Sequence, residues 1–275
     1  MIKETSWWVT GASSGIGAAL AEALSAKGAN LILSGRKVDA LEAVAGKCQT
    51  PTLVLPFEAT DYDALPSVTD QAWAWASEHG GFGGLVNNAG ISQRSLAVET
   101  DFSVYQKIVD VDLMAPIALT QALLPRMVKA GSGHIVGISS VAGLVGVPLR
   151  SAYSAAKHGL IGYHDAVRAE TEGLGLNVLV VAPGSVRTNV SRNALDASAK
   201  ARGVSDDVID NGMDPAIAAG RIIAAIEAGQ RELILADGAE ADTANLRRTD
   251  PDALFARMAK MVADGYAKQM GAERS

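Results

Sequence analysis

Trp7-Trp8-Val9-Thr10-Gly11-Ala12-Ser13-Ser14-Gly15-Ile16-Gly17 decides the fold of this 275-residue chain. A short apolar run of strand character enters a glycine-rich turn, and a helical stretch follows from Ala18 to Lys27. Gly11 permits the tight turn, Gly15 lets a pyrophosphate approach the backbone, and Gly17 allows helix and strand to pack closely. Ser13, Ser14 and Ile16 complete the loop. The start of the helix offers free N–H donors and a positive dipole end to phosphates. The spacing is G-x-x-x-G-x-G, not the commoner G-x-G-x-x-G. Alone, such a turn means little; between strand and helix it reads as a nucleotide-binding loop.

Further along, apolar runs of strand length alternate with amphipathic helical segments. The predicted strands are Trp7–Thr10, Leu31–Ser34, Thr52–Pro56, Gly84–Asn87, His134–Ser139, Asn177–Val181 and Glu232–Leu235. Leu31-Ile32-Leu33 and Val178-Leu179-Val180-Val181 are apolar at successive positions, as in strands covered by helices on both faces. The alternation predicts an α/β fold: a single-domain, Rossmann-type, doubly wound parallel sheet of about seven strands. Its ligand crevice should lie at the carboxyl ends of the strands. The glycine loop, Asn88, Ser140 and Pro183-Gly184 each follow one of those strands.

The second informative stretch is Ser140 followed by Tyr153-Ser154-Ala155-Ala156-Lys157. A free tyrosine titrates near ~10 and a lysine near ~10.4, so neither alone serves acid–base chemistry at neutral pH. Four residues apart on a helix they share a face, and the ammonium can stabilise a phenolate. A serine hydroxyl at the end of the preceding strand would hold a substrate oxygen beside that phenol.

With these residues in view, the chain resembles the short-chain dehydrogenase/reductase family from about Thr5 to about Gly238. The resemblance rests on Thr10 to Gly17, Asn87-Asn88-Ala89-Gly90, Ser140, Tyr153-x-x-x-Lys157 and Pro183-Gly184-Ser185-Val186-Arg187-Thr188, in the family's order and separations. It implies an oxidoreductase acting on CH–OH groups, with a small carbonyl or alcohol as substrate. Tyr153 would be the general acid/base, Lys157 would stabilise the phenolate and bind the nicotinamide ribose, and Ser140 would orient the carbonyl. Asn88, Ala89 and Gly90 would line the cofactor cleft, and Asn87 would hold neighbouring strands together. Pro183, Gly184, Val186 and Thr188 would meet the nicotinamide and phosphate end. The resemblance further implies a homo-oligomer, dimer or tetramer. Residues 1–238 would form the dinucleotide-binding and catalytic domain, with a substrate lid over 189–215. Residues 239–275 would add a helical extension of the same domain.

Two positions depart from the family pattern. Asp112 stands where members usually carry an asparagine that holds a water beside the active-site lysine. It would place a carboxylate near Lys157 and alter the pH profile. Glu58 stands where the family often has an aspartate facing the adenine, and still offers a carboxylate. At the end of the second strand, Gly35 occupies the place where NAD enzymes carry an acid for the ribose diol, and Arg36 follows. A guanidinium pairs with a 2′-phosphate by charge-assisted, bidentate bonds, so the expected cofactor is NADP(H). Two other readings of the same residues stay open: a non-catalytic NADP-binding sensor or scaffold, and epimerase or dehydratase chemistry without net use of cofactor.

Composition narrows the remainder. The chain is 48% hydrophobic, 20% charged and 5% aromatic, which is ordinary for a globular protein. Its net charge of −6 argues against nucleic acid as a partner. A single cysteine, Cys48, forbids an internal disulfide and fits a reducing compartment. Neither a cleavable signal nor an uninterrupted apolar stretch near ~18 residues is visible, so no membrane association and a cytoplasmic location are expected. No metal is expected, because the four histidines lack ligand company. Leu144, Val145, Val147, Leu149 and Arg150 either shape the substrate pocket or pack beneath the lid, with Arg150 read as a surface residue. In the tail Leu254, Met258, Met261, Val262 and Tyr266 fall on one helical face, for packing on this subunit or another.

Overall fold

The computed structural model describes residues 2–270. The chain begins with β1 (Ser6–Thr10), α1 (Gly15–Ala26), β2 (Asn30–Ser34), α2 (Val38–Ala45), β3 (Thr52–Val54), α3 (Leu65–Glu78) and β4 (Phe82–Asn87). It continues through α4 (Phe102–Val109), a π-helical turn at Asp110–Met114, α5 (Ala115–Ala130), β5 (Gly133–Ile138), α6 (Ser151–Thr171) and β6 (Leu176–Pro183). Then come α7 (Asp207–Asp210), α8 (Pro215–Glu227), β7 (Glu232–Leu235), α9 (Ala239–Thr249), α10 (Pro251–Ala263) and α11 (Tyr266–Gln269). One seven-stranded sheet results, in the order β3-β2-β1-β4-β5-β6-β7, and every pairing is parallel.

The tryptophan pair shows why the sheet is wound on both sides. Successive side chains of a strand point to opposite faces. Trp7 therefore enters the cluster formed with α1, α2 and α8, and Trp8 enters the opposite cluster with α3, α5 and α6. Both rings are fully buried. Trp7 lies stacked on His134 and occupies space that a side chain at Gly84 would fill, a Cβ there falling 2.7 Å from the ring. The Trp8 indole donates to Ser34 Oγ at 2.8 Å, and Ser34 Oγ donates to the Leu55 carbonyl, so the polar end of the ring is satisfied inside the core.

The strand order reverses between β1 and β4, which opens the crevice at their carboxyl ends. Residues 102–130 form one continuous helix, the only one among the described residues long and apolar enough to cross a membrane by length and composition. In this fold Val104, Ile108, Leu119, Leu123 and Met127 on that helix are buried.

Three details differ from the sequence expectation. Strand β3 ends at Val54, short of the expected Pro56, although the Leu55 amide still donates to the Leu33 carbonyl at 2.9 Å. The tail forms three helices, broken at Asp250 before Pro251 and again at Gly265, whose φ of +89° starts Tyr266 on a new helix; Val262 is exposed. Arg150 is largely buried, and donates to the Tyr266 hydroxyl at 3.0 Å. Leu254 and Met258 pack with Val141 and Val145, so the tail covers the segment that follows Ser140 on this same chain. Of the expected 239–275 extension, residues 271–275 lie outside the described residues.

Candidate active site

Thr10 joins the two strands that frame the crevice. Its hydroxyl donates to the Val86 carbonyl at 3.2 Å and accepts from the Asn88 and Ala89 amides at 3.0 and 3.1 Å. The Asn88 amide returns a bond to the Thr10 carbonyl at 2.9 Å. Gly11 and Gly15 have φ of +63° and +58°, a backbone that L side chains rarely adopt. A Cβ at Gly15 would also press on Thr188 Cγ2 at 2.9 Å. At Gly17 a Cβ would strike the Gly11 carbonyl and the Asn88 side chain, so this glycine closes the loop from beneath. Ser14, at the N-cap of α1, makes no side-chain bond to the first turn. The turn's N–H groups, which have no partner within a helix, are left for a ligand. That is the chemistry a dinucleotide pyrophosphate requires, and the residues present fit it.

The cleft above this loop has a volume of about 830 Å³. Its wall takes in every expected catalytic and cofactor-binding residue except Gly17, which packs below it: Gly11, Ser13 to Ile16, Arg36 and Glu58, Asn88 to Gly90, Asp112, Ser140, Tyr153, Lys157, Pro183, Gly184, Val186 and Thr188.

Tyr153 and Lys157 project from the first turns of α6, with Lys157 Nζ 5.6 Å from the centre of the Tyr153 ring. Ser140 follows β5 and caps the single turn 141–143, accepting from the Ala142 amide at 3.1 Å and donating to the Pro183 carbonyl at 3.3 Å. Ser139 is buried, and its hydroxyl donates to the Lys157 carbonyl at 2.9 Å. His158 uses Nδ1 on the Ser154 carbonyl and takes no part.

Asp112 does meet Lys157. The π turn directs its carboxylate inward, where Oδ1 accepts from the Ile91 amide at 2.8 Å and Oδ2 lies 3.2 Å from Lys157 Nζ. Oδ2 makes no other contact of hydrogen-bonding quality. Gly90 leaves the room, since a Cβ there would sit 3.0 Å from Oδ2 and 3.3 Å from Nζ. Lys157 Nζ also donates to the Ile138 carbonyl at 3.1 Å. Burial raises the Asp112 carboxyl above the ordinary carboxylate range, with the ammonium opposing. Burial also works against the Lys157 ammonium, but the charges of Asp112 and Tyr153 outweigh it and the pKa rises.

At the far end, Arg36 stands mostly in solvent, 3.7 Å from Glu58. Ile91, Leu195 and Ala199 pack with the Tyr153 ring into one apolar cluster. Leu144, Val145, Val147 and Leu149 are drawn instead towards or beneath other segments, Leu144, Val145 and Val147 under the tail. The sequence reading gave Thr10 no role of its own and passed over the buried polar run Ser92-Gln93-Arg94-Ser95. In sequence these are one threonine among many and an ordinary hydrophilic loop.

A strand–glycine loop–helix, a switch point and a Ser–Tyr–Lys wall define a class, and comparison with known proteins agrees. The sequence profile described as short chain dehydrogenase matches residues 7–199. "Dehydrogenase/reductase SDR family member 7B" of Danio rerio is 39% identical over 274 residues, covering 96% of this chain and 86% of the relative. A short-chain dehydrogenase from Streptomyces avermitilis superposes with a TM-score of 0.77 at 31% identity, over 96% of this chain and 98% of that one. One from Sphingobium yanoikuyae, solved in complex with NADPH, gives a TM-score of 0.75 at 25% identity, over 94% and 96%. The chain belongs to the short-chain dehydrogenase/reductase family of oxidoreductases.

Proposed function

We propose that the protein is an NADP(H)-dependent oxidoreductase that interconverts a carbonyl and an alcohol, with Tyr153 as acid/base. The observation that carries this reading is the Ser140–Tyr153–Lys157 wall facing the open glycine loop across one cleft. The bound dinucleotide supplies or accepts the hydride at the substrate carbon. The Sphingobium relative solved with NADPH supports the choice of cofactor class.

In the reduction direction the Ser140 and Tyr153 hydroxyls donate to the carbonyl oxygen and stabilise the negative charge that grows there. Ser140 need only exchange its 3.3 Å bond to the Pro183 carbonyl for one to substrate. Tyr153 then gives its proton to the oxygen, and the Lys157 ammonium stabilises the resulting phenolate. Asp112 holds Lys157 from behind and restrains its position.

Arg36 supports NADP(H) over NAD(H). Its exposed pairing with Glu58 is worth no more than about 1 kcal/mol, so the guanidinium is free to turn to a 2′-phosphate. Gly35 carries no acid to repel that phosphate. The apolar flank of Tyr153, formed by Ile91, Leu195 and Ala199, suits a carbonyl that bears an apolar substituent.

The test is loss of NADPH absorbance with a panel of aldehydes, ketones and diketones, beside Tyr153→Phe. Turnover with one NADPH oxidised per product, lost by at least a thousandfold in Tyr153→Phe while NADPH affinity stays, is the expected result. Turnover retained in that variant refutes the role of Tyr153. Conversion without NADPH oxidation refutes net reduction.

A further inference from the structure

Ser92, Gln93, Arg94 and Ser95 follow β4 and are all at most 3% exposed, an unusual depth for four consecutive polar residues. Each is accounted for by what it holds. The Gln93 side-chain carbonyl accepts from the Ala152 amide at 2.8 Å and from the Tyr153 amide at 3.4 Å. Its NH2 group reaches Ser95 Oγ and Thr100 Oγ1 at 3.3 and 3.4 Å. The residue at the N-cap of α6, Arg150, makes no capping bond with its side chain. Gln93 therefore satisfies helix-end donors that the helix's own flank leaves bare.

The same four residues grip the segment 189–215. The Leu195 amide donates to the Ser92 carbonyl at 2.8 Å, and the Arg94 amide donates to the Leu195 carbonyl at 2.9 Å, a short parallel bridge. Arg94 Nε donates to Asp206 Oδ2 at 2.7 Å, with both side chains almost wholly buried. Asp206 Oδ1 accepts from Arg202 at 2.7 Å, and Arg150 stands 3.9 Å from Oδ2. The second Arg94 arm is fixed on Ser92 Oγ and the Gln93 carbonyl at 2.8 and 2.7 Å. Leu195 in turn packs in the apolar cluster that holds the Tyr153 ring.

We propose that Gln93 is a positioning residue for Tyr153, and that the buried Arg94–Asp206 pair makes the setting of this helix end depend on the lid at 189–215. The inference rests on the acid/base reading of Tyr153 and adds to it a route from lid to phenol. When the lid is seated, Asp206 fixes Arg94, Arg94 fixes the Gln93 backbone, and the Gln93 side chain fixes the first turn of α6. When the lid lifts, the Leu195 bridge and the ion pair part together, and Gln93 loses its anchor. Proton transfer is then confined to the state in which substrate is covered.

Three full-length variants test this: Gln93→Met, which keeps length and loses the acceptor; Gln93→Glu, which keeps an acceptor oxygen; and Asp206→Asn, which removes the charge on the lid side. For each, NADPH affinity, kcat and KM are measured, together with amide hydrogen exchange across residues 150–157. Gln93→Met should lose tenfold or more in kcat and in protection of the first turn of α6, with NADPH affinity within twofold. Gln93→Glu should recover most of both. Asp206→Asn should raise KM fivefold or more, hold kcat nearer its normal value and speed exchange over 150–157. The proposal is overturned if folded Gln93→Met keeps its kcat and protection, if Gln93→Glu does no better than Gln93→Met, or if NADPH affinity falls in step with kcat. Should Gln93→Met not fold, the exchange in Asp206→Asn decides, and unchanged protection refutes the coupling. Exchange needs no turnover, so an inactive parent protein would refute the assigned chemistry and leave the Gln93 comparison readable.

Discussion

Replacing Asp112 by asparagine removes one buried negative charge while keeping the shape of the side chain and the acceptor for the Ile91 amide. In the proposed mechanism the Lys157 ammonium supports the Tyr153 anion, and the Asp112 charge helps hold that buried ammonium in its charged form. Asp112 Oδ2 lies 3.2 Å from Lys157 Nζ, which in turn lies 5.6 Å from the centre of the Tyr153 ring. At an effective dielectric near 20 the attraction between carboxylate and ammonium is about 5 kcal/mol, before the cost of burying both. Without the carboxylate, burial works against the Lys157 ammonium with less to oppose it, so the neutral amine gains. In Asp112→Asn the fall of alcohol oxidation at alkaline pH, where the ammonium is lost, should therefore set in at lower pH. Burial raises the pH at which Asp112 itself ionises, so the effect belongs to the region above that ionisation. The assay is kcat/KM for oxidation, with saturating oxidised cofactor, at half-unit steps from pH 6 to 10. An unmoved profile, or one moved upward, would refute the electrostatic account of this pair.

Other substitutions follow the same reasoning. Arg36→Ala should weaken NADPH binding about tenfold, as expected for loss of a charge-assisted bond, and NADH binding less than twofold; equal losses by calorimetric titration would sink the cofactor assignment. Lys157→Met strands the Asp112 carboxylate and should cost about 3–5 kcal/mol at neutral pH. Because burial raises the folded-state pKa of Asp112, that penalty grows as pH rises above the unfolded value of ~3.9. Urea unfolding at pH 8 and pH 4 should show a smaller deficit in acid, and an equal deficit at both would contradict the buried-charge reading. Gly17→Ala sets a methyl group against the Gly11 carbonyl and the Asn88 side chain, and should reduce NADPH affinity tenfold or more; unchanged affinity would mean the loop yields freely.

What could be read from sequence was what depends on neighbours in sequence. The Trp7-Trp8-Val9 run is buried on both faces, and its continuation into Gly11 to Gly17 gave strand, loop and helix together. Tyr153 and Lys157 share a helix face by spacing alone. Two of the failures involve partners far off along the chain. Arg150 looked like a surface arginine because nothing near it announces Asp206 or Tyr266. Gln93 looked like loop because the amides it caps belong to α6. The tail's apolar face seemed to reach Tyr266, but the helix breaks at Asp264-Gly265 and Val262 turns outward. Asp112 stood out by its departure from a family pattern, which implied a carboxylate near Lys157, and the fold sets the two 3.2 Å apart.

The wide turn at Asp110–Met114 has a consequence at the level of the gene. A π turn is an α-helix carrying one residue too many. Loss of a single codon within it would let α4 and α5 run on as ordinary helix and rotate Asp112 by about 100° relative to one of them. The carboxylate and the sheet-facing side chains of α5 could not then both keep their places. A one-residue gap here would injure the lysine's surroundings more than most substitutions, although the segment reads as unremarkable helix.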